Sequence, residues 1–135
     1  MQFAQSKRRA AALFLVCGLG ALVLSSCGPE EMAIWQRITS ERASIQEHPF
    51  LVCVRHHESD RSDYPFINGY QAKNSRSSAS GAYQFLDSTW RNVSRDAGHP
   101  GYGRAMDAPD WVQDEVALWT YHNQGDSAWN GTGCH

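Results

Sequence analysis

Residues 50–135 contain only 12 Leu, Ile, Val and Phe side chains. A segment this small buries a limited share of its surface, and so few aliphatic side chains do not hold it folded unaided. Its stability must come in part from other sources, and two are visible. One is aromatic: Trp90, Trp111, Trp119 and Trp129, with five tyrosines and three phenylalanines. The other is a pair of cysteines, Cys53 and Cys134, which bracket nearly the whole segment.

The N-terminal part of the 135-residue chain has a different character. Lys7, Arg8 and Arg9 precede an apolar run over residues 10–24, and Ser25, Ser26, Cys27 and Gly28 follow. A basic start, a short apolar stretch and a small-residue exit describe a secretory signal. The run is shorter than the roughly 20 residues that span a bilayer. Leu24-Ser25-Ser26-Cys27 resembles a bacterial lipobox, in which the chain is cut before the cysteine and the thiol carries a diacylglycerol. The expected organisation is a lipoprotein signal peptide over residues 1–26, a tether over 27–49 and one domain over 50–135. The expected location is outside the cytoplasm: a cell-membrane lipoprotein facing the cell wall, or a secreted protein.

Export bears on the cysteines. Cys17 leaves with the signal and Cys27 has its own fate, so Cys53 and Cys134 remain as an even pair in an oxidising compartment. A disulfide is expected; two buried free thiols are the alternative. Without residues 1–26 the chain keeps nine Lys and Arg against 14 Asp and Glu, a net charge of −5. No basic stripe is left to neutralise phosphates, so nucleic acid is not an expected partner.

Along the remaining chain, Ile34, Ile38 and Ile45 share a rough helical stripe that His48-Pro49 ends. Phe50, Cys53, Val54 and His57 fall at helical spacing, with Glu58 beside them at the end of the run. Residues 59–80 carry Pro65, Gly69 and six serines and read as a loop or ragged hairpin. A further helix is expected from Ser80 or Gly81 through Leu86, Trp90, Val93 and Ala97, with Gly98 past its end. Another starts with Asp110 as N-cap and Gln113 completing a capping box, and ends at Gly125. The expected fold class is α+β, mostly α, with a small hairpin or loop insert.

Glu58 is the leading candidate for chemistry. A carboxyl group at the end of an apolar helix can have its pKa raised by burial, which lets it hold a proton near neutrality and pass it to a leaving oxygen. The residues after it sharpen that reading. Glu58-Ser59 is followed by a polar stretch, then by Ser80-Gly81-Ala82-Tyr83-Gln84-Phe85, then Ser88-Thr89-Trp90, with Trp129 and Cys134 near the end. Together these motifs resemble the transglycosylase-like domain of resuscitation-promoting factors and, more distantly, soluble lytic transglycosylases. The resemblance spans residues 50–135. It implies a lysozyme-like domain that cleaves the β-1,4 bond between N-acetylmuramic acid and N-acetylglucosamine in peptidoglycan. It implies Glu58 as the catalytic acid, with Gln84, Thr89 and Trp90 along the sugar cleft. In that family a cysteine directly precedes the glutamate; here the neighbour is His57 and the cysteine is Cys53. The loop after Glu58 is also longer.

Tyr70 and Tyr83, each close to a glycine, are further cleft candidates. A two-carboxylate glycosidase needs a second acid about 5–10 Å away. Asp60 and Asp63 are the only acids between Glu58 and Asp87, and both read more readily as loop-capping residues. A single-glutamate mechanism is therefore expected: lytic transglycosylase, or muramidase if Glu58 activates water. His56-His57-Glu58 does not converge on one ion, because adjacent helix residues diverge by about 100°. No metal or other cofactor is expected. The competing reading is a non-catalytic peptidoglycan-binding lipoprotein on the same scaffold. The sequence names no partner peptidase.

Overall fold

The computed structural model describes residues 28–59 and 69–135. The chain divides into two compact units, Met1–Ile34 and Trp35–His135. Among the described residues, helices α1 (Pro29–Gln46), α2 (Pro49–Glu58), α3 (Asp87–Asp96) and α4 (Asp110–Gln124) carry the architecture, with 3-10 turns at Gly69–Gln71, Ala105–Asp107 and Ser127–Trp129. The protein is mostly helical. The expected hairpin reduces to two isolated antiparallel bridges, Lys73 to Ser80 and Ser80 to Phe85, and no strand forms among the described residues. None of the described helices is long and apolar enough to cross a membrane. The expected signal sequence, Cys27, Asp60 and Asp63 lie outside the described residues.

Pro49 opens α2, where a missing N–H leaves no helical bond unmade. The helix buries Phe50, Leu51 and Val54. The expected stripe through His57 is corrected: His57 is exposed and Leu51 is fully buried. Residues 50–54 are apolar at five consecutive positions, so their order does not fix which face turns inward.

α3 begins at Asp87, not at Ser80 or Gly81 as the spacing suggested. The intervening residues form a turn in which the Ser80 N–H bonds the Phe85 carbonyl at 3.0 Å. Both Gly81 and Gln84 have positive φ there, which no helix tolerates. The end of α3 matches expectation. Gly98 adopts φ 86°, and the His99 N–H reaches back to the Ser94 carbonyl at 2.7 Å, closing the last turn.

α4 supplies the centre of the core through Val112, Val116 and Ala117. Its start differs from the capping box read in the sequence. Pro109 is the cap, Asp110 is the first helical residue, and no side chain caps the helix. The Gln113 side chain turns inward instead, because three backbone groups there need partners. Its oxygen accepts from the Ala82 N–H at 2.9 Å, and its nitrogen donates to the carbonyls of Tyr70 and Ala108, both at 3.0 Å. One amide thereby ties three loop segments to α4.

Aromatic rings make up for the missing aliphatics. Trp129 lies 5.7 Å from Phe50, 5.4 Å from Phe85 and 6.3 Å from Tyr83, ring centre to ring centre. Its indole N–H donates to the Tyr83 carbonyl at 3.0 Å. Phe50 also stacks on Tyr121 at 4.0 Å. These offset and edge-on contacts add to area burial by about 0.5–1.5 kcal/mol each.

A disulfide joins Cys53 of α2 to Cys134 across 81 positions. In the chain-entropy argument a loop of that length stabilises by ~4.5 kcal/mol. Replacing both cysteines by serine should lower unfolding stability by about 2–5 kcal/mol in urea titrations. A loss below about 1 kcal/mol would show that the aromatic core alone holds the domain.

Candidate active site

A groove of about 220 Å³ is lined by Glu58, Gln84 and Thr89, with Tyr83, Phe85 and Trp129 beneath and Leu86 and Ala128 at its side. Four of the residues singled out from sequence, Glu58, Tyr83, Gln84 and Thr89, thus meet in one concavity although they come from α2, the turn over residues 81–85 and α3. Glu58 is partly buried at the last position of α2. Leu86 is 46 % exposed and adds an apolar side chain to the groove lining.

Two other candidates are placed differently. Trp90 is fully buried against Phe85, and its indole N–H is spent on the Tyr102 carbonyl at 3.0 Å. It offers no face for stacking a sugar; packing in an aliphatic-poor core takes the whole ring. Tyr70 is also buried and does not line the groove. Its hydroxyl donates to the Asp114 carboxylate at 2.9 Å.

The turn that carries Gln84 is tightly specified. A methyl group at Gly81 would overlap the Gln113 side-chain oxygen, and Gly81 has φ 78°. Gln84 is held at φ 50°, a left-handed conformation that costs a non-glycine residue about 1–3 kcal/mol. Its side-chain nitrogen donates to the Gly81 carbonyl at 2.9 Å, which offsets part of that cost.

Beneath the groove lies a polar cluster that the sequence did not reveal. Asp114 is 3 % exposed. Tyr83 and Tyr70 both donate hydroxyl hydrogen bonds to its carboxylate. Arg55 of α2 approaches it at 3.4 Å, donates to the Tyr83 oxygen at 2.7 Å and donates to the Gln46 carbonyl at 2.6 Å. Burial pushes the Asp114 carboxyl above the usual carboxylate range, against the pull of these donors. Burial likewise drives the Tyr70 phenol up to about 12 and the Tyr83 phenol upward. The cluster fixes α2 and the turn over residues 81–85 to α4. The only hint in the sequence is an acid and an amide between Val112 and Val116, which reads equally well as a solvated helix edge.

One group of metal-ligand types lies close together among the described residues: Cys53, His57 and Cys134, within 4.8 Å. Both sulfurs are spent in the disulfide, so the group has no thiolate to offer.

The chain is similar to staphylococcal transglycosylase-type proteins. It is 45 % identical over 58 residues to "Probable transglycosylase SceD" of Staphylococcus haemolyticus (strain JCSC1435), covering 43 % of this chain and 24 % of that one. It is 34 % identical over 91 residues to "Probable transglycosylase SceD" of Staphylococcus aureus (strain Newman), covering 67 % of this chain and 36 % of that one. The chain therefore spans about a quarter to a third of these curated relatives. No family model and no solved structure matches it.

Two outcomes are expected from this geometry. Gln84→Gly and Gln84→Ala both lose the side-chain hydrogen bond, but only glycine relieves the backbone strain, so the glycine variant should be the more stable of the two by about 1 kcal/mol. Urea titrations compare the two. The tyrosines set an alkaline limit. Unfolded tyrosines ionise near pH ~10, while buried Tyr70 holds its proton to about 12. Between these values the unfolded chain binds fewer protons than the folded one, so stability must fall as pH rises. The urea midpoint should drop across this window, and less steeply in Tyr70→Phe.

Proposed function

We propose that this protein cleaves peptidoglycan glycan strands, with Glu58 as the single catalytic acid and base on a lysozyme-like domain over residues 50–135. The observation that carries the reading is the convergence of Glu58, Gln84 and Thr89 on one groove with an aromatic floor. The similarity to staphylococcal probable transglycosylases supports it. The disulfide and the signal-like N-terminus support action outside the cell, with Cys27 as the lipid attachment site.

In this mechanism Glu58 protonates the oxygen of the β-1,4 bond between N-acetylmuramic acid and N-acetylglucosamine. Positive charge builds on the muramic ring as the bond breaks. Glu58, now a carboxylate, removes the proton from that ring's own 6-hydroxyl, which closes on the anomeric carbon. The product is a 1,6-anhydro sugar, formed without added water. Gln84 and Thr89 provide hydrogen-bonding groups along the strand, and the exposed Leu86 provides apolar contact.

Glu58→Gln keeps size and most hydrogen bonding but cannot deliver a proton. It should lower release of muropeptides from purified cell wall by about 10²–10⁴-fold with the fold intact. Asp60→Asn and Asp63→Asn should each cost far less. Mass analysis should find anhydromuramic ends one water lighter than hydrolysed ends. Hydrolysed ends alone would make the protein a muramidase. Full activity in Glu58→Gln would overturn Glu58 as the catalytic acid, and no release of muropeptides by the wild type would leave glycan binding without catalysis.

A further inference from the structure

A second cavity, of about 340 Å³, lies between the later part of α1 and the start of α4, and shares no residue with the Glu58 groove. Thr39, Arg42, Ala43, Gln46, Asp110, Trp111 and Asp114 line it, and the Asp114 carboxylate is already taken up by Tyr70, Tyr83 and Arg55. Arg42 is held in place from two sides. Its guanidinium lies 3.8 Å over the Trp111 ring, and its Nε sits 4.0 Å from Glu115. The other Glu115 oxygen is occupied by His99 Nε2 at 2.8 Å, and the His99 ring meets Trp111 edge-on at 5.6 Å. The Trp111 ring thereby backs the guanidinium, whose terminal nitrogens make no hydrogen bond within the described residues. Asp110, on the same cavity, carries a carboxylate that likewise accepts none there.

Opposite charges lining one cavity normally pair with each other when they can reach. Arg42 pairs with Glu115 instead, and Asp114 is taken up by Tyr70, Tyr83 and Arg55, which leaves the Asp110 carboxylate without a partner among the described residues. The space is therefore lined by one cation, one carboxylate without a partner among the described residues, an aromatic ring, two neutral hydrogen-bonding side chains and the already satisfied Asp114. A ligand with an ammonium group, a carboxylate and a short aliphatic body satisfies all of these at once. A neutral sugar leaves both charges unmatched, and a simple anion leaves Asp110 opposed.

We propose that this cavity binds the zwitterionic end of a peptide, with Arg42 on its carboxylate, Asp110 on its ammonium and Trp111 against its carbon chain. The identification of that peptide as a cell-wall stem peptide rests on the glycan-cleaving reading above. The cavity would then hold the peptide branch while the Glu58 groove engages the glycan strand.

The test is an amide-shift NMR titration of the purified full chain with meso-diaminopimelate, its carboxyl-amidated form and chitotetraose. Meso-diaminopimelate should shift signals around Arg42, Asp110 and Trp111. Arg42→Ala and Asp110→Asn should each weaken binding about tenfold or more, because each removes a charge-assisted hydrogen bond. The amidated form should bind wild type weakly and lose little further in Arg42→Ala, since both changes remove the same contact. Unchanged affinity in both variants, shifts at the Glu58 groove alone, or equal binding of the amidated form would overturn the proposal. Cell-wall digestion by the same preparation is scored separately. Failure to cleave while meso-diaminopimelate still binds as described would overturn the enzymatic reading and leave the cavity assignment standing.

Discussion

The carboxylate of Asp114 is the point on which the rest of the structure depends. A buried acid is costly unless donors surround it, and removing one partner of such a group is far more damaging than never having built it. Here the donors come from separated parts of the chain: Arg55 of α2, Tyr70 of the 3-10 turn Gly69–Gln71, and Tyr83 of the turn beneath the groove. Satisfying one charge thus forces three segments into a single arrangement. Glu58 lies one helical turn beyond Arg55 on α2, and Gln84 is the residue after Tyr83. The position of both groove residues is set by a charge that does not itself line the groove.

Gln113, next to Asp114, acts in the same way with a neutral side chain. Its three hydrogen bonds go to backbone groups that lie in turns and have no helical partner. Buried backbone groups must find partners somewhere. In a domain with few regular elements, the side chains of one helix supply them. The glycine at position 81 follows from this arrangement, since the Gln113 oxygen occupies the space a methyl group would need.

What could be read from the sequence follows this division. The ends of α3 and α4 were legible because Gly98 and Gly125 take a backbone conformation that other residues resist. The Cys53–Cys134 pair was legible because a chain with a signal-like start is expected in an oxidising compartment, where an even pair of cysteines has few other fates. That Glu58, Gln84 and Thr89 share a cleft was implied by the resemblance their motifs carry, and the three line one concavity. Where the sequence misled, several phases or partners were compatible with the same residues. Residues 50–54 fit more than one helical face. Ser80 to Phe85 has helical spacing but is bent by Gly81 and Gln84. Trp90 has the chemistry of a stacking platform, yet a core short of aliphatics takes in its whole ring. Asp114 and Gln113 were invisible because polar residues on a helix are ordinarily solvated, and only three-dimensional packing shows which are not.

The distance along the chain between Cys53 and Cys134 also governs timing. A polypeptide emerges N-terminus first, so α2 exists for most of synthesis without its covalent partner. Trp129, whose ring joins Phe50, Tyr83 and Phe85, arrives almost as late. The early helices therefore lack both their covalent partner and a central ring of their core until synthesis is nearly complete. The last residues to be made are thus the ones that close the core and the covalent loop.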